Sequence, residues 1–186
     1  MSLSRPLAAL AAALVVSLAV VSCGASGTPA PTDANLPGAA PALEAMLPSS
    51  AGGLTFTKAS FDGAKVGAAG LPLDMTTRDP VLKANGKTAA DVSYAVATAV
   101  ATTPAPSGKL ATTVMAMRIA GVDAAITAGM SNGTPQGMTD ETLGGKHVKQ
   151  GGSAGFWAVI YLKGDVRFEA MGADITVLDA VISALP

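Results

Sequence analysis

The amino-acid sequence predicts an α+β fold, a single domain built on a largely antiparallel sheet with about three helices. Several short segments alternate apolar residues with small or polar ones, which is the two-residue period of a strand. Gly164-Asp165 separates two such segments as a hairpin turn would. The C-terminal segment instead repeats apolar residues at helical spacing.

The strand segments follow one another along most of the chain. In order they are Leu54–Ser60, Val92–Val100, Leu110–Ile119, Phe156–Leu162 and Val166–Met171. The segment FWAVIYL is apolar on both sides, as a central, covered strand is. A second hairpin is predicted around Gly144-Gly145, joining 141–143 to 146–150.

Three helices are predicted, each behind an aspartate that can accept hydrogen bonds from the first turn. They are Pro80–Asn85 behind Asp79, Ala124–Met130 behind Asp123, and Ile175–Leu185 behind Asp174. Gly86 should end the first of them. In the last, Ile175, Leu178, Val181, Ile182 and Leu185 form one apolar stripe.

The segments Gly121–Ile126 and Gly172–Val177 resemble each other and lie 51 residues apart. Each follows a predicted strand pair and begins a helix, which indicates a duplicated strand–strand–helix unit. The alternative is that any strand-to-helix junction favours glycine and an aspartate cap. The sequence leaves both interpretations open.

The N-terminus has the pattern of an export signal. Arg5 precedes an apolar run from Leu7 to Val21 that is shorter than the roughly 20 residues of a membrane-spanning helix. Residues Val20-Val21-Ser22-Cys23 resemble the lipobox of bacterial lipoproteins, with Val where Leu is commonest. The resemblance implies that residues 1–22 are a lipoprotein signal peptide, removed after Cys23 receives diacylglycerol. The alternative is an ordinary signal peptide with a chance cysteine.

The resemblance also implies a location. Acyl chains such as palmitate on Cys23 would hold the protein on the extracytoplasmic face of the cell membrane. Residues 23–48 are rich in Pro, Ala and Gly and are interpreted as a tether, with the folded domain at 49–186. An alternative for Leu43–Leu47 is a helical turn docked on the domain. Because Cys23 is the only cysteine, the domain is expected to have no disulfide.

Three short motifs resemble a group of uncharacterised small bacterial, often actinobacterial, envelope proteins. They are Gly86-Lys87-Thr88-Ala89-Ala90-Asp91-Val92-Ser93, Lys163-Gly164-Asp165-Val166 and the terminal Leu185-Pro186. The resemblance implies no activity.

The charges and motifs in the sequence limit which partners and which catalytic sites can be expected. Twelve Lys and Arg against 13 Asp and Glu, scattered singly, give no reason to expect a nucleic-acid partner. Gly151-Gly152-Ser153-Ala154-Gly155 matches the nucleophile-elbow pattern, but a strand is predicted after it and the only histidine, His147, precedes it. We therefore expect a glycine-rich loop there and a solvent-facing His147.

The remaining candidate site residues, the histidine and the aspartates, are expected to have structural rather than catalytic roles. A lone histidine with no thiol in the domain is a poor zinc site, and no cofactor motif is present. Aspartates 79, 123, 165 and 174 are interpreted as caps and a turn residue, and no catalytic residue is predicted.

Two functions stay open from the sequence. The first is a non-enzymatic envelope lipoprotein that binds a protein partner or a small apolar ligand. The second is an envelope hydrolase with an unrecognised site. The methionines, among them Met115, Met117 and Met171, favour an adaptable apolar pocket, while core packing is the ordinary role of strand aromatics.

Overall fold

The computed structural model describes residues 39–63, 75–99, 111–127 and 137–186. They form one antiparallel sheet of eight strands together with a few short helices. The strands are β1 (Ser50–Ala51), β2 (Leu54–Asp62), β3 (Val92–Ala99), β4 (Thr113–Ile119), β5 (Thr139–Leu143), β6 (Lys146–Ser153), β7 (Phe156–Lys163) and β8 (Val166–Gly172). The predicted antiparallel sheet is confirmed.

The strand order across the sheet is β1-β2-β3-β4-β8-β7-β6-β5. Strands β1–β4 therefore fill one half of the sheet in chain order, and β5–β8 fill the other half. The halves meet where β4 pairs with β8, with Ala116 opposite Phe168. Both predicted hairpins are present, at Gly144-Gly145 and at Gly164-Asp165.

The helices in the described part are α1 (Pro41–Met46), α2 (Met75–Ala84), α3 (Ala124–Thr127) and α4 (Ile175–Ala184), with a 3-10 turn at Ala89–Asp91. The Asp174 carboxylate accepts from Thr176 N at 2.8 Å, and that of Asp123 accepts from Ala125 N at 2.7 Å. These two predicted caps are confirmed. Residues 128–130 of the predicted second helix lie outside the described residues.

The predicted start of α2 is wrong. The helix begins at Met75, so Pro80 lies inside it and Asp79 is not its N-cap. Proline favours the first helical position because its missing N–H would have no partner there, but this preference does not prevent a preceding turn from forming. The end is as expected, since Gly86 follows the helix with φ +64°.

The sheet has two faces with different surroundings. The face that we call the α4 face carries Ala95, Val114, Phe168 and Val159, and it packs with Leu178, Val181 and Ile182 of α4 in the larger core. The opposite face, here the Arg167 face, carries Tyr94, Met117 and Arg167. A smaller core on this face joins Tyr94 and Met117 to Leu82 of α2.

Helix α1 belongs to the larger core. Leu43 and Leu47 are each only 2% exposed, and Ala40 N donates to the buried Ser60 Oγ at 3.1 Å. Lys58 Nζ also donates to the carbonyl of Leu47. The helical turn that the sequence left as an alternative at Leu43–Leu47 is therefore present, and the packed part begins before residue 49. The predicted signal peptide 1–22, Cys23 and the tether up to residue 38 lie outside the described residues.

Candidate functional site

A groove of about 470 Å³ lies on the Arg167 face, over the strands nearest the β5 edge. Its lining comes from β5, β6 and β7: Asp140, Glu141, Thr142, His147, Val148, Lys149, Ile160 and Leu162. Antiparallel pairing places Asp140 opposite Lys149 and Lys149 opposite Ile160. A row of side chains thus runs from the charged edge of the sheet to its apolar interior.

The rim of the groove is polar, and an ion pair neutralises part of its charge. Lys149 Nζ lies 2.9 Å from Asp140 Oδ1, with the two side chains 48% and 86% exposed. An ion pair this exposed contributes about 0–1 kcal/mol, because water solvates both partners almost as well. The exposed His147 stands across from Thr142 on the same face. Because these side chains are exposed, they can exchange their contacts with water, or with one another, for contacts with a ligand.

The floor of the groove is aliphatic. Ile160 is 5% exposed and Leu162 is half-buried. A volume of this size falls within the range of small-molecule pockets, which are mostly apolar with a few polar groups at fixed positions. The groove is therefore suited to holding an apolar group whose polar end stays at the rim.

A buried ion pair lies directly beside this floor. Ile160 pairs with Glu169 and Leu162 pairs with Arg167 across β7 and β8. Arg167 Nη2 lies 2.9 Å from Glu169 Oε2, and the two side chains are 2% and 1% exposed. Arg167 Nη1 also donates to the carbonyl of Thr127 at the end of α3, at 2.8 Å. The pair therefore ties α3 to the centre of the sheet.

Burial shapes the acid–base behaviour of this pair. Removal from water raises the pKa of Glu169, and the attraction of Arg167 offsets that only in part. The same removal from water lowers the pKa of Arg167. Glu169 Oε1 is buried and has no hydrogen-bond partner among the described residues. An unmatched carboxylate oxygen in the core is costly, so the ionised form of Glu169 gains less from its surroundings than it would in water.

Sequence reasoning did not identify this pair. Arg167 and Glu169 alternate with Val166, Phe168 and Ala170, a pattern that ordinarily places the charges on a solvated face. Their spacing of two residues does place them on one side of the strand. The pattern contains no signal for what covers that side.

The residues of the apparent nucleophile elbow have a different geometry. The predicted glycine-rich loop is wrong for its first three residues, because Gly151, Gly152 and Ser153 pair with β7 as the end of β6. Only Ala154-Gly155 forms a turn, and it leads into the antiparallel strand β7 rather than into a helix. Gly152 is required in β6, because a Cβ at this position would clash with the carbonyl oxygen of Phe156. His147 is exposed on the same strand, six residues before Ser153 and roughly 20 Å away at about 3.3 Å per residue. The two side chains are not brought together.

The carboxylate side chains considered as candidates interact with separate partners. Asp165 pairs with Arg118 Nε at 3.0 Å, and Asp179 accepts from Gly144 N at 2.7 Å. In the described part of the chain, no group of three or more His, Cys, Asp or Glu side chains could hold a metal ion. Among the same residues, no helix is long and apolar enough to cross a membrane.

The strand aromatics and methionines have mixed environments. Phe56, Tyr94 and Phe168 are buried, and the ring of Phe168 stacks on that of Tyr161 at 5.8 Å. Met117 is buried on the Arg167 face, where Met115 and Met171 are half-buried.

Comparison with known proteins adds no family to this description. No protein-family model matches the sequence, and no curated protein or solved structure matches it.

Proposed function

We propose that this protein is an extracytoplasmic lipoprotein, held on the cell membrane by lipid on Cys23, whose sheet domain binds a partner protein or a small apolar ligand without catalysis. The proposed membrane attachment is supported by the position of the only cysteine, directly after an apolar run and a small residue. The binding role is carried by one observation, the groove over β5–β7 with its aliphatic floor and charged rim.

The chemistry of the groove favours binding over hydrolysis. Hydrolysis by a serine needs a base within roughly 2.6–3.2 Å of the nucleophile, whereas Ser153 and His147 are far apart on one strand. Ile160 and Leu162 offer van der Waals contact, and Lys149, Asp140 and Thr142 offer hydrogen bonds that orient a ligand.

Lipid attachment is tested with Cys23→Ala against a matched control, Ser22→Ala, which keeps a small residue before the cysteine. We expect the alanine at 23 to abolish palmitate labelling and partition into detergent, because the chain has no other thiol. Ser22→Ala should behave as the wild type. Unchanged detergent partition of Cys23→Ala would contradict the anchor.

The binding role is tested with Leu162→Glu, which places a carboxylate in the floor of the groove. We expect it to lose function in a complementation assay in the host, while the exposed Lys163→Glu one residue on retains it. Ser153→Ala should also retain function, and a serine-directed fluorophosphonate should not label the wild type. Labelling lost with Ser153→Ala, together with lost function, would favour the hydrolase alternative.

The similarity between the segments Gly121–Ile126 and Gly172–Val177 bears on how the sheet evolved. The sequence predicts a duplicated strand–strand–helix unit, which corresponds to β3–β4–α3 and β7–β8–α4. We propose that the duplication comprises the two strand pairs and leaves out the helices that follow. The mirrored strand order around the β4–β8 pair supports it. Helix α3 meets Arg167, whereas α4 packs on the opposite face, and a two-fold axis through the sheet cannot exchange its faces. Crystallography of the domain checks whether one rotation superimposes the two strand pairs; different rotations for different strands would contradict the proposal.

A further inference from the structure

Within the part of the chain that the structure describes, strand β5 is an edge of the sheet and pairs only with β6. Thr139, Asp140, Glu141 and Thr142 are all exposed. The opposite edge is β1, which has only two residues. An exposed edge strand presents unpaired backbone N–H and C=O groups that a further strand can pair with.

The hairpin turn determines which of these backbone groups point outward. Gly144 and Gly145 have φ of 57° and 74°, so they form the two-residue turn that needs positive φ at both positions. In such a hairpin the residues flanking the turn, Leu143 and Lys146, exchange hydrogen bonds. Alternation along β5 then directs the N–H and C=O of Asp140 and Thr142 away from β6, toward the open edge.

This edge is held in place by the C-terminal helix. Gly144 N donates to Asp179 Oδ1 at 2.7 Å, and Lys146 Nζ donates to the carbonyls of Ile182 at 2.8 Å and Leu185 at 2.9 Å. Gly144 also lies so close to Ser183 that a Cβ would clash with its backbone N. A strand fixed in this way loses little conformational freedom when another strand pairs with it.

The charges on the edge indicate which strand would pair with it. Asp140 is 86% exposed and Glu141 is exposed on the other face, while Lys149 is the basic side chain that contacts Asp140. The β5 of a second copy would bring acidic side chains against acidic ones, and like charges directly opposite are destabilising. A segment with Lys or Arg would be attracted instead.

The groove adjoins the same edge. The side chains of Asp140 and Thr142 line it, so residues of an added strand opposite them would lie on the groove side of the sheet. An apolar residue at such a position could place its side chain at the near end of the groove.

We propose that β5 accepts an extended, basic segment of a partner protein as an additional strand, with apolar residues on the groove side of the sheet and Lys or Arg on the other side, next to Glu141. This inference rests on the proposed binding function and specifies its partner. Main-chain hydrogen bonds would provide affinity, and the alternating side chains would provide selectivity.

The test is titration of the full chain in detergent with a blocked peptide Lys-Val-Lys-Leu-Lys-Val-Lys, and with the same peptide carrying Glu for each Lys. The decisive variant is Thr142→Pro, which removes one outward N–H without touching the bonds to β6. Its control is Thr142→Val, which keeps that N–H. Equal thermal unfolding midpoints of the two variants establish that both are folded.

We expect the lysine peptide to bind the wild type and Thr142→Val alike, and Thr142→Pro about tenfold more weakly, because a backbone bond is lost and the proline ring obstructs the edge. Glu141→Gln should weaken binding, and the glutamate peptide should not bind. Equal binding by the proline and valine variants would overturn the inference. So would self-association of the wild type that Thr142→Pro abolishes, since the occupant would then be a second copy.

The same variants separate this inference from the proposed function. If no variant binds the lysine peptide but Leu162→Glu still abolishes function in the host, the groove binds something else and only the edge proposal fails. If Leu162→Glu also leaves function intact, both fail.

Discussion

Arg167 and Glu169 are charged residues that lie almost completely out of contact with water, an environment that charged side chains do not favour. A buried ion pair loses the hydration of both charges, and the attraction between them often only balances that loss. Removing one partner is worse, because the other charge stays buried alone. In this domain the pair also anchors the carbonyl of Thr127.

We expect Arg167→Met to lower the free energy of unfolding by about 3–5 kcal/mol, because Glu169 then stays buried without its partner. The double change Arg167→Met with Glu169→Leu should recover much of the loss. Arg118→Met, which breaks the partly exposed pair with Asp165, is the control and should cost about 0–1 kcal/mol. Urea unfolding measures all three, and equal losses for Arg167→Met and Arg118→Met would contradict the assigned burial.

The raised pKa of Glu169 also predicts how stability depends on pH. The folded state favours the protonated carboxyl more than the unfolded state does, so it binds more protons at pH values above about 4.5, the ordinary value. Stability should therefore fall as pH rises from about 4.5 through the folded-state pKa. Glu169→Gln should lack this component when urea midpoints are compared across that window. Parallel pH curves for the wild type and the glutamine variant would show that Glu169 does not titrate this way.

At the scale of the element, α4 follows most directly from the sequence. The predicted apolar stripe is buried at Leu178, Val181, Ile182 and Leu185, and the Asp174 cap is present. Periodicity and capping are local properties, which is why both could be predicted. The contact of Asp179 with the β5–β6 turn could not be predicted, since it depends on where a distant hairpin lies.

We expect Leu178→Asp to cost about 3 kcal/mol or more, because it places an unpaired carboxylate where the side chain is 0% exposed. Asp179→Ala should cost no more than about 1.5 kcal/mol, the contribution of its exposed hydrogen bond to Gly144 N. Chemical denaturation of the two variants provides the comparison. Equal effects would mean that the buried face of α4 is misassigned.

For the whole molecule, the position of α1 determines where the stable domain begins. Leu43 and Leu47 pack in the same core as Phe168 and Leu178. Fully burying a leucine side chain contributes about 1.5–3 kcal/mol, so this short helix stabilises the sheet appreciably.

A chain beginning at residue 49 should be less stable than one beginning at residue 39 by several kcal/mol, because it loses both leucines. Leu43→Ala in the longer chain should account for a large part of the difference. Thermal unfolding of the three proteins measures this, and reductant should change none of them, because residues 39–186 contain no cysteine. Equal midpoints for the two chain lengths would show that α1 does not contribute to stability.

The sequence by itself determined most local elements of this protein: the strands other than β1, both glycine hairpins, the aspartate caps of α3 and α4, and the apolar stripe of α4. These depend on backbone preferences and short-range periodicity, which any stretch of chain carries within itself. The sequence also predicts lipid attachment at Cys23. This prediction depends on a short linear motif and does not require a folded structure.

Only the tertiary structure decided that the proline-rich segment before residue 49 supplies Leu43 and Leu47 to the core. It also decided that Arg167 and Glu169 are buried, and that Asp140, Lys149 and Ile160 meet in one groove. Each of these depends on which surfaces cover one another and which strands become neighbours. Burial and pairing are properties of distant segments brought together, so no local pattern in the sequence contains them.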